Sequence, residues 1–218
     1  MRREETAFIE KITASMTHEF MNVLSTIKES SGLMEDLLSL SGETSFSHHV
    51  KFTQKLAVIR EQVKRGMELS GMLNRFAHSI DEPKARIDLN ELLEQLSILV
   101  QRFAALKKVE LTLDPVKAPL ELRADPFRLQ LILVACLETC FDRVAPGGRV
   151  TVQARERKEG IGIQCLMEPD GESIKETDEL LRELAGLQHT LHRIDAQIRP
   201  INPPGQPGLE IILSSNAE

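Results

Sequence analysis

The stretch from Lys11 to Leu38, KITASMTHEFMNVLSTIKESSGLMEDLL, limits what this chain can become more than any other. Ile12, Met16, Phe20, Val23, Ile27, Met34 and Leu37 recur at three- and four-residue steps, with Ser30 filling one gap. That period belongs to an amphipathic helix with one apolar stripe. It contains no glycine or proline before Gly32, so a single helix from near Glu4 or Glu5 to about Leu40 is predicted. A helix of that length cannot bury its stripe alone and needs a partner element.

The partner follows directly. Ser41-Gly42-Glu43-Thr44-Ser45-Phe46-Ser47 reads as a turn, and Ser47 is suited to cap the next helix. A second helix is predicted from about His48 to Ala77. Its stripe is Phe52, Leu56, Ile59, Val63, Met67 (or Gly66), Ser70 and Leu73, close to a heptad repeat. Two such helices joined by a short turn form an antiparallel hairpin. Flanking apolar residues, Leu24 and Leu38 on the first helix and Leu69, Met72 and Phe76 on the second, leave the hairpin with more apolar surface than it can cover. A second copy would cover it, giving a dimeric four-helix bundle. Packing of the hairpin on the chain's own C-terminal half is the alternative.

Asp81-Glu82-Pro83 ends the helical pattern and sets a domain boundary, giving a hairpin domain over 1–80 and a second domain over 81–218. Arg86-Ile87-Asp88-Leu89 leads into a helix over Asn90 to Lys107. Short strands are predicted at Val109 to Leu113 and Leu120 to Ala124, then a strongly apolar helix from Phe127 to Val144. Pro146-Gly147-Gly148 turns into a strand from Arg149 to Ala154, and Glu159-Gly160 turns into another from Ile161 to Met167. A helix from about Ser173 to Asp195 precedes strands at Ala196 to Ile201 and Leu209 to Ser214. Helices and a mixed sheet in separate layers make an α/β sandwich, so the chain as a whole is α+β.

Composition narrows the function classes. Net charge is −6 with no basic block, and Trp and Tyr are absent, which argues against nucleic-acid binding. No apolar run approaches the roughly 20 residues of a membrane span, and the N-terminus lacks the apolar segment of a signal peptide. Three cysteines without paired spacing suit a reducing cytoplasm. Cys136 and Cys140 are read as buried small residues in a helix. His48, His49 and His78 are read as exposed, with no metal cluster.

His18 differs from the other histidines. It lies two residues from both Met16 and Phe20, so at roughly 100° per residue it stands nearly opposite the apolar stripe. Asn22 lies one turn on, and small Ala14 one turn before. His18-Glu19-Phe20-Met21-Asn22, followed by Val-Leu-Ser-Thr-Ile, resembles the H-box of two-component histidine kinases and histidine phosphotransferases. That resemblance implies a phosphoacceptor at His18, a ring-orienting carboxylate at Glu19, and a role in dephosphorylation for Asn22. The surrounding face, Ala14, Thr17, Met21 and Ser25, would then receive the partner.

The second half extends the resemblance over roughly 87–215. Ala124-Asp125-Pro126-Phe127-Arg128-Leu129-Gln130 looks like the opening of the central helix of the histidine-kinase ATPase domain. Gly147-Gly148-Arg149-Val150-Thr151-Val152 looks like the turn and strand that follow it. The nucleotide motifs are missing. Ala135-Cys136-Leu137-Glu138-Thr139 stands where the family carries two asparagines, the second of which helps hold the metal on ATP, Met167-Glu168-Pro169-Asp170-Gly171-Glu172 replaces the adenine loop, and Gly186 alone remains of the glycine-rich lid. The combination resembles the dimeric histidine phosphotransferases of bacterial phosphorelays. It implies a homodimer that moves phosphoryl groups between the aspartates of receiver domains, belonging to response regulators or hybrid kinases. No cofactor of its own is implied, since Mg²⁺ would come with the receiver. An adaptor or phosphatase that binds a response regulator, and a kinase with a divergent ATP site, are the competing expectations.

Overall fold

The computed structural model describes residues 3–40, 49–81, 83–114, 120–168, 177–203 and 206–214. The chain divides into two compact units, Met1–Ala77 and His78–Glu218.

The first unit is a pair of long helices, α1 (Arg3–Leu40) and α2 (His49–Ser79). The predicted turn at 41–47 lies outside the described residues. Phe8, Ile12, Met16 and Val23 of α1 are buried, as are Ser15 and Ser30, while Phe20, Ile27, Met34 and Leu37 are half-buried. The α1 stripe is therefore the predicted one. The α2 stripe is so only in part, with Phe52, Ile59, Gly66 and Leu73 half-buried. Leu69 and Phe76, expected to flank it, are the buried residues, whereas Leu56, Val63 and Met67 are exposed. α2 meets α1 at Gly66. A side chain there would begin 3.4 Å from Val23 Cγ1, so the helices approach closely at this point. That approach turns the face carrying Ile59, Gln62, Gly66, Leu69, Leu73 and Phe76 toward α1. The Phe8 and Phe76 rings meet edge to face at 5.5 Å, in the geometry their quadrupoles favour. A second apolar stripe is left on the surface of the hairpin.

The second unit opens with β1 (Ala85–Asp88) and α3 (Leu89–Lys107). Asp88 caps α3 by accepting hydrogen bonds from the Asn90 and Glu91 backbone, and Lys108 ends it in the left-handed region. Next come β2 (Glu110–Asp114), β3 (Glu121–Ala124) and α4 (Pro126–Arg143). The Asp125-Pro126-x-Arg128 string is a helix-start device. The Asp125 carboxylate accepts from the Arg128 N–H at 2.9 Å and pairs with its guanidinium, and Pro126 occupies the first turn, where its missing N–H costs nothing. The remaining elements are β4 (Arg149–Arg157), β5 (Gly160–Glu168), α5 (Thr177–Glu183), a 3₁₀ turn (Ala185–Leu187), α6 (Gln188–Arg193), β6 (Ala196–Ile201) and β7 (Gly208–Ser214).

Two points correct the sequence reading. The segment before β6, expected as one helix, is broken at Leu184 to Leu187 into α5, the 3₁₀ turn and α6. Leu180, Leu184, Leu187 and Leu191 are all buried there, so the broken path keeps the leucines against the sheet domain. In addition, Ala85–Asp88 is a strand, pairing antiparallel with β3 as a two-stranded ribbon. The main sheet has the order β2-β4-β5-β7-β6, with β2 and β4 parallel and the other pairs antiparallel.

Alternation along the strands divides the sheet's two faces. Val150, Val152 and Ala154 of β4, Ile163, Cys165 and Met167 of β5, and Leu209, Ile211 and Leu213 of β7 share one face and are buried. With Leu129, Leu133, Cys136 and Cys140 of α4 they form the core. The opposite face carries Gln153, Gln164 and Glu210, also buried. Gly208 permits close packing of two strands: a side chain there would meet the Cys165 carbonyl oxygen at 2.2 Å.

Candidate functional site

His18 is at the middle of α1 with half its side chain exposed. The α1 stripe is buried on the other side of the helix, which presents the imidazole outward. Asn22 Nδ2 lies 3.2 Å from His18 Nδ1 and 3.4 Å from Glu19 Oε1, and His18 Nδ1 is 3.8 Å from that same oxygen. One side of the ring is thus occupied by an amide and a carboxylate. The other nitrogen, Nε2, makes no hydrogen bond to the described residues. Ala14, Thr17, Met21 and Ser25, within two turns of His18 on α1, are exposed. The Thr17 hydroxyl donates to the Thr13 carbonyl at 2.8 Å and Thr26 to the Asn22 carbonyl at 3.0 Å, so these hydroxyls are satisfied on the helix itself.

Sequence reasoning missed one residue of this constellation. Arg65, on α2, donates to Glu19 Oε2 at 2.9 Å. In an antiparallel hairpin, numbers rise on one helix as they fall on the other. The Phe8–Phe76 and Val23–Gly66 contacts fix that register, and it carries Arg65 to Glu19. The signal was present as a complementary charge pair, but reading it required the register.

The positions that resemble a nucleotide site lie in the sheet domain. Cys136, Leu137 and Thr139 are buried in α4, and Glu168 at the end of β5 pairs with Arg149, which also holds Glu110. Gly186 sits inside the 3₁₀ turn. Pro169, Asp170, Gly171 and Glu172 lie outside the described residues. Arg143 at the end of α4 reaches Glu179 at 3.0 Å and also pairs with Glu183, tying α4 to α5.

The three cysteines are buried in the core, and burial pushes each thiol up, Cys165 to about 12. They are packing residues with little thiolate character. His78 is exposed; His48 and the His49 side chain lie outside the described residues. Among the described residues, no group of three or more His, Cys, Asp or Glu is placed to hold a metal ion, and no helix is long and apolar enough to cross a membrane.

No family model matches the chain. It is 27% identical over 161 residues, 73% of its length, to the sensor histidine kinase ZraS of Klebsiella oxytoca. The match spans about a third of that relative's length, 33%. Among solved structures, the catalytic domain of histidine kinase ThkA superposes with a TM-score of 0.51 at 10% identity, covering 60% of this chain and 95% of that domain. The Acinetobacter baumannii histidine kinase AdeS superposes with a TM-score of 0.50 at 16% identity, covering 90% of this chain and 98% of that structure. The chain has a histidine-kinase-like fold: N-terminal helices followed by a sheet domain of the kinase catalytic type.

Proposed function

We propose that the protein is a histidine phosphotransferase of a two-component phosphorelay. His18 accepts a phosphoryl group from the aspartyl phosphate of one receiver domain and passes it to another, without ATP. The observation that carries the reading is the His18 ring itself. Its Nδ1 side is occupied by Glu19 and Asn22, and its Nε2 is free at the middle of an exposed helix face. A neutral imidazole is a good nucleophile near neutral pH, and transfer between nitrogen and oxygen depends mainly on positioning and charge compensation. Small neighbours such as Ala14 and Ser25 let a receiver's pocket close over the ring.

The ATP-free part of the reading rests on α4. Where a kinase needs metal-holding asparagines, this chain has Ala135 and a buried Thr139, which has no amide carbonyl to offer. The kinase resemblance therefore supplies the fold and a docking body. Mg²⁺ is expected from the receiver. The exposed second stripe of the hairpin supports a homodimer.

The test is phosphoryl acceptance by the purified protein and its His18→Ala variant. Two donors are offered: labelled ATP alone, and phosphorylated receiver domains. Acid-labile label on the unmodified protein only, from receivers and not from ATP, is the expected result, with His18→Ala unlabelled and melting as the unmodified protein does. Label from ATP alone would overturn the reading in favour of a kinase. Receiver binding with no label from either donor would make the protein an adaptor.

A further inference from the structure

Glu19 is held between two groups. Oε1 faces His18 Nδ1 at 3.8 Å and Asn22 Nδ2 at 3.4 Å, while Oε2 accepts from Arg65 at 2.9 Å. The Glu19 side chain is 22% exposed, and Arg65 reaches it from the other helix. Gly66, beside Arg65, faces Val23, one turn beyond Glu19 on α1.

We propose that Arg65 is a positioning residue for phosphoryl transfer at His18, acting through Glu19. The role rests on the phosphotransferase reading. In the transfer, the Nε2 lone pair attacks phosphorus and a P–N bond forms. The bond from phosphorus to the receiver's aspartate oxygen breaks, and that carboxylate leaves with the electron pair. The ring loses no proton, so it becomes cationic, with its remaining proton on Nδ1. That proton needs an acceptor on the Nδ1 side. In the tautomer whose Nδ1 accepts from the Asn22 amide, the ring's proton is on Nε2 and the attacking lone pair is absent. The reactive tautomer is the one whose Nδ1–H turns to Glu19 Oε1, a closure of less than about 1 Å to hydrogen-bond distance.

Arg65 serves this step in two ways. By occupying Oε2 it fixes the carboxylate's rotation, so Oε1 stays aimed at the ring. It also offsets the Glu19 charge, so the incoming anionic phosphoryl group does not meet an uncompensated carboxylate. Nearby on α2, Lys64 and Glu68 form a pair of their own at 4.0 Å, which leaves the Arg65 guanidinium to Glu19.

The experiment is a double-mutant cycle with Arg65→Gln and Glu19→Gln, and Arg65→Lys as the charge-conserving variant. Single-turnover transfer from a phosphorylated receiver is measured against receiver concentration. Arg65→Gln is expected to lower the saturating rate about tenfold while leaving the half-saturating concentration unchanged. Arg65→Lys should recover part of the loss. In the Glu19→Gln background, Arg65→Gln should cost nothing more.

A second readout needs no transfer: the ¹⁵N signals of the His18 ring. They should move on Arg65→Gln in the unmodified background and stay still in the Glu19→Gln background. Equal rates and unmoved ring signals in Arg65→Gln, in a protein that is labelled normally, would overturn the role of Arg65. An unmodified protein that takes label from neither receivers nor phosphoramidate would instead overturn phosphotransfer itself, with the ring signals still deciding whether Arg65 and His18 are coupled.

Discussion

Glu210 shows what a single buried residue asks of its neighbours. It lies on the open face of the sheet with no exposed surface, and accepts hydrogen bonds from Arg157 at 2.6 and 2.9 Å, Arg199 at 2.7 Å and Gln164 at 2.8 Å. Burial pushes its carboxyl up, but these donors outweigh burial and leave it below the usual carboxylate range. A carboxyl lowered in the folded state contributes stability above its unfolded value, about 4.3, and loses it as pH falls through the folded value. Glu210→Gln should lower stability at neutral pH by about 1–2 kcal/mol, since the arginines left behind can turn to water. The gap in melting temperature between the two proteins should narrow below about pH 4. A gap independent of pH would show that the carboxylate charge is not what stabilises the network. Sequence inspection pointed to His18 as outward-facing, because helical periodicity fixes a side chain's face. It gave no sign of Glu210, because one polar residue in the strand Leu209 to Ser214 reads as an interruption until neighbouring strands bring Arg157 and Arg199 beside it.

Among the elements, α2 separates what periodicity can and cannot decide. The predicted stripe runs Phe52, Leu56, Ile59, Val63, Met67 (or Gly66), Ser70 and Leu73; burial keeps Ile59, Gly66 and Leu73, adds Leu69 and Phe76, and leaves Leu56, Val63 and Met67 outside. At Gly66 the two helices meet, and Leu69 and Phe76 on the same face are buried. An alanine Cβ at this position would sit at ordinary contact distance from Val23, so Gly66→Ala should raise stability by about 0.5–1 kcal/mol through helix propensity. Gly66→Leu has no room, and should lower the melting temperature and the His18 transfer rate together by moving Arg65 off Glu19. A Gly66→Leu protein that melts normally would show that the helices do not depend on this approach. The helix break at Leu184 was illegible for a related reason. The leucine spacing suits one helix, and only the sheet beneath shows why a broken path buries more of it.

At the scale of the whole molecule, the hairpin's second stripe is the largest unfinished business of the fold. Leu24 on α1 and Leu56, Val63 and Met67 on α2 are 43–71% exposed. Isolated exposed apolar residues are ordinary, but a row along two adjoining helices marks an interface. The proposed homodimer would cover it as a four-helix bundle, and Met67→Glu should then give a monomer in sedimentation or light scattering where the unmodified protein is a dimer. A Met67→Glu protein of unchanged mass would place the interface elsewhere. The domain order and the sandwich were readable in the sequence because turns and periodicity punctuate them. The proposed pairing of two copies was less legible, because it rests on which α2 residues the hairpin buries internally.

The sheet's polar face has a consequence for how such a chain can change over time. Gln153, Gln164, Arg155, Arg157, Arg199 and Glu210 are joined by hydrogen bonds, and each one's contribution depends on the others being present. Losing the acid first would leave Arg157, Arg199 and Gln164 without their shared acceptor; losing an arginine first would leave a buried charge with fewer donors. Substitutions here are therefore expected to be tolerated better in sets than one at a time, so the six residues would change as one heritable unit.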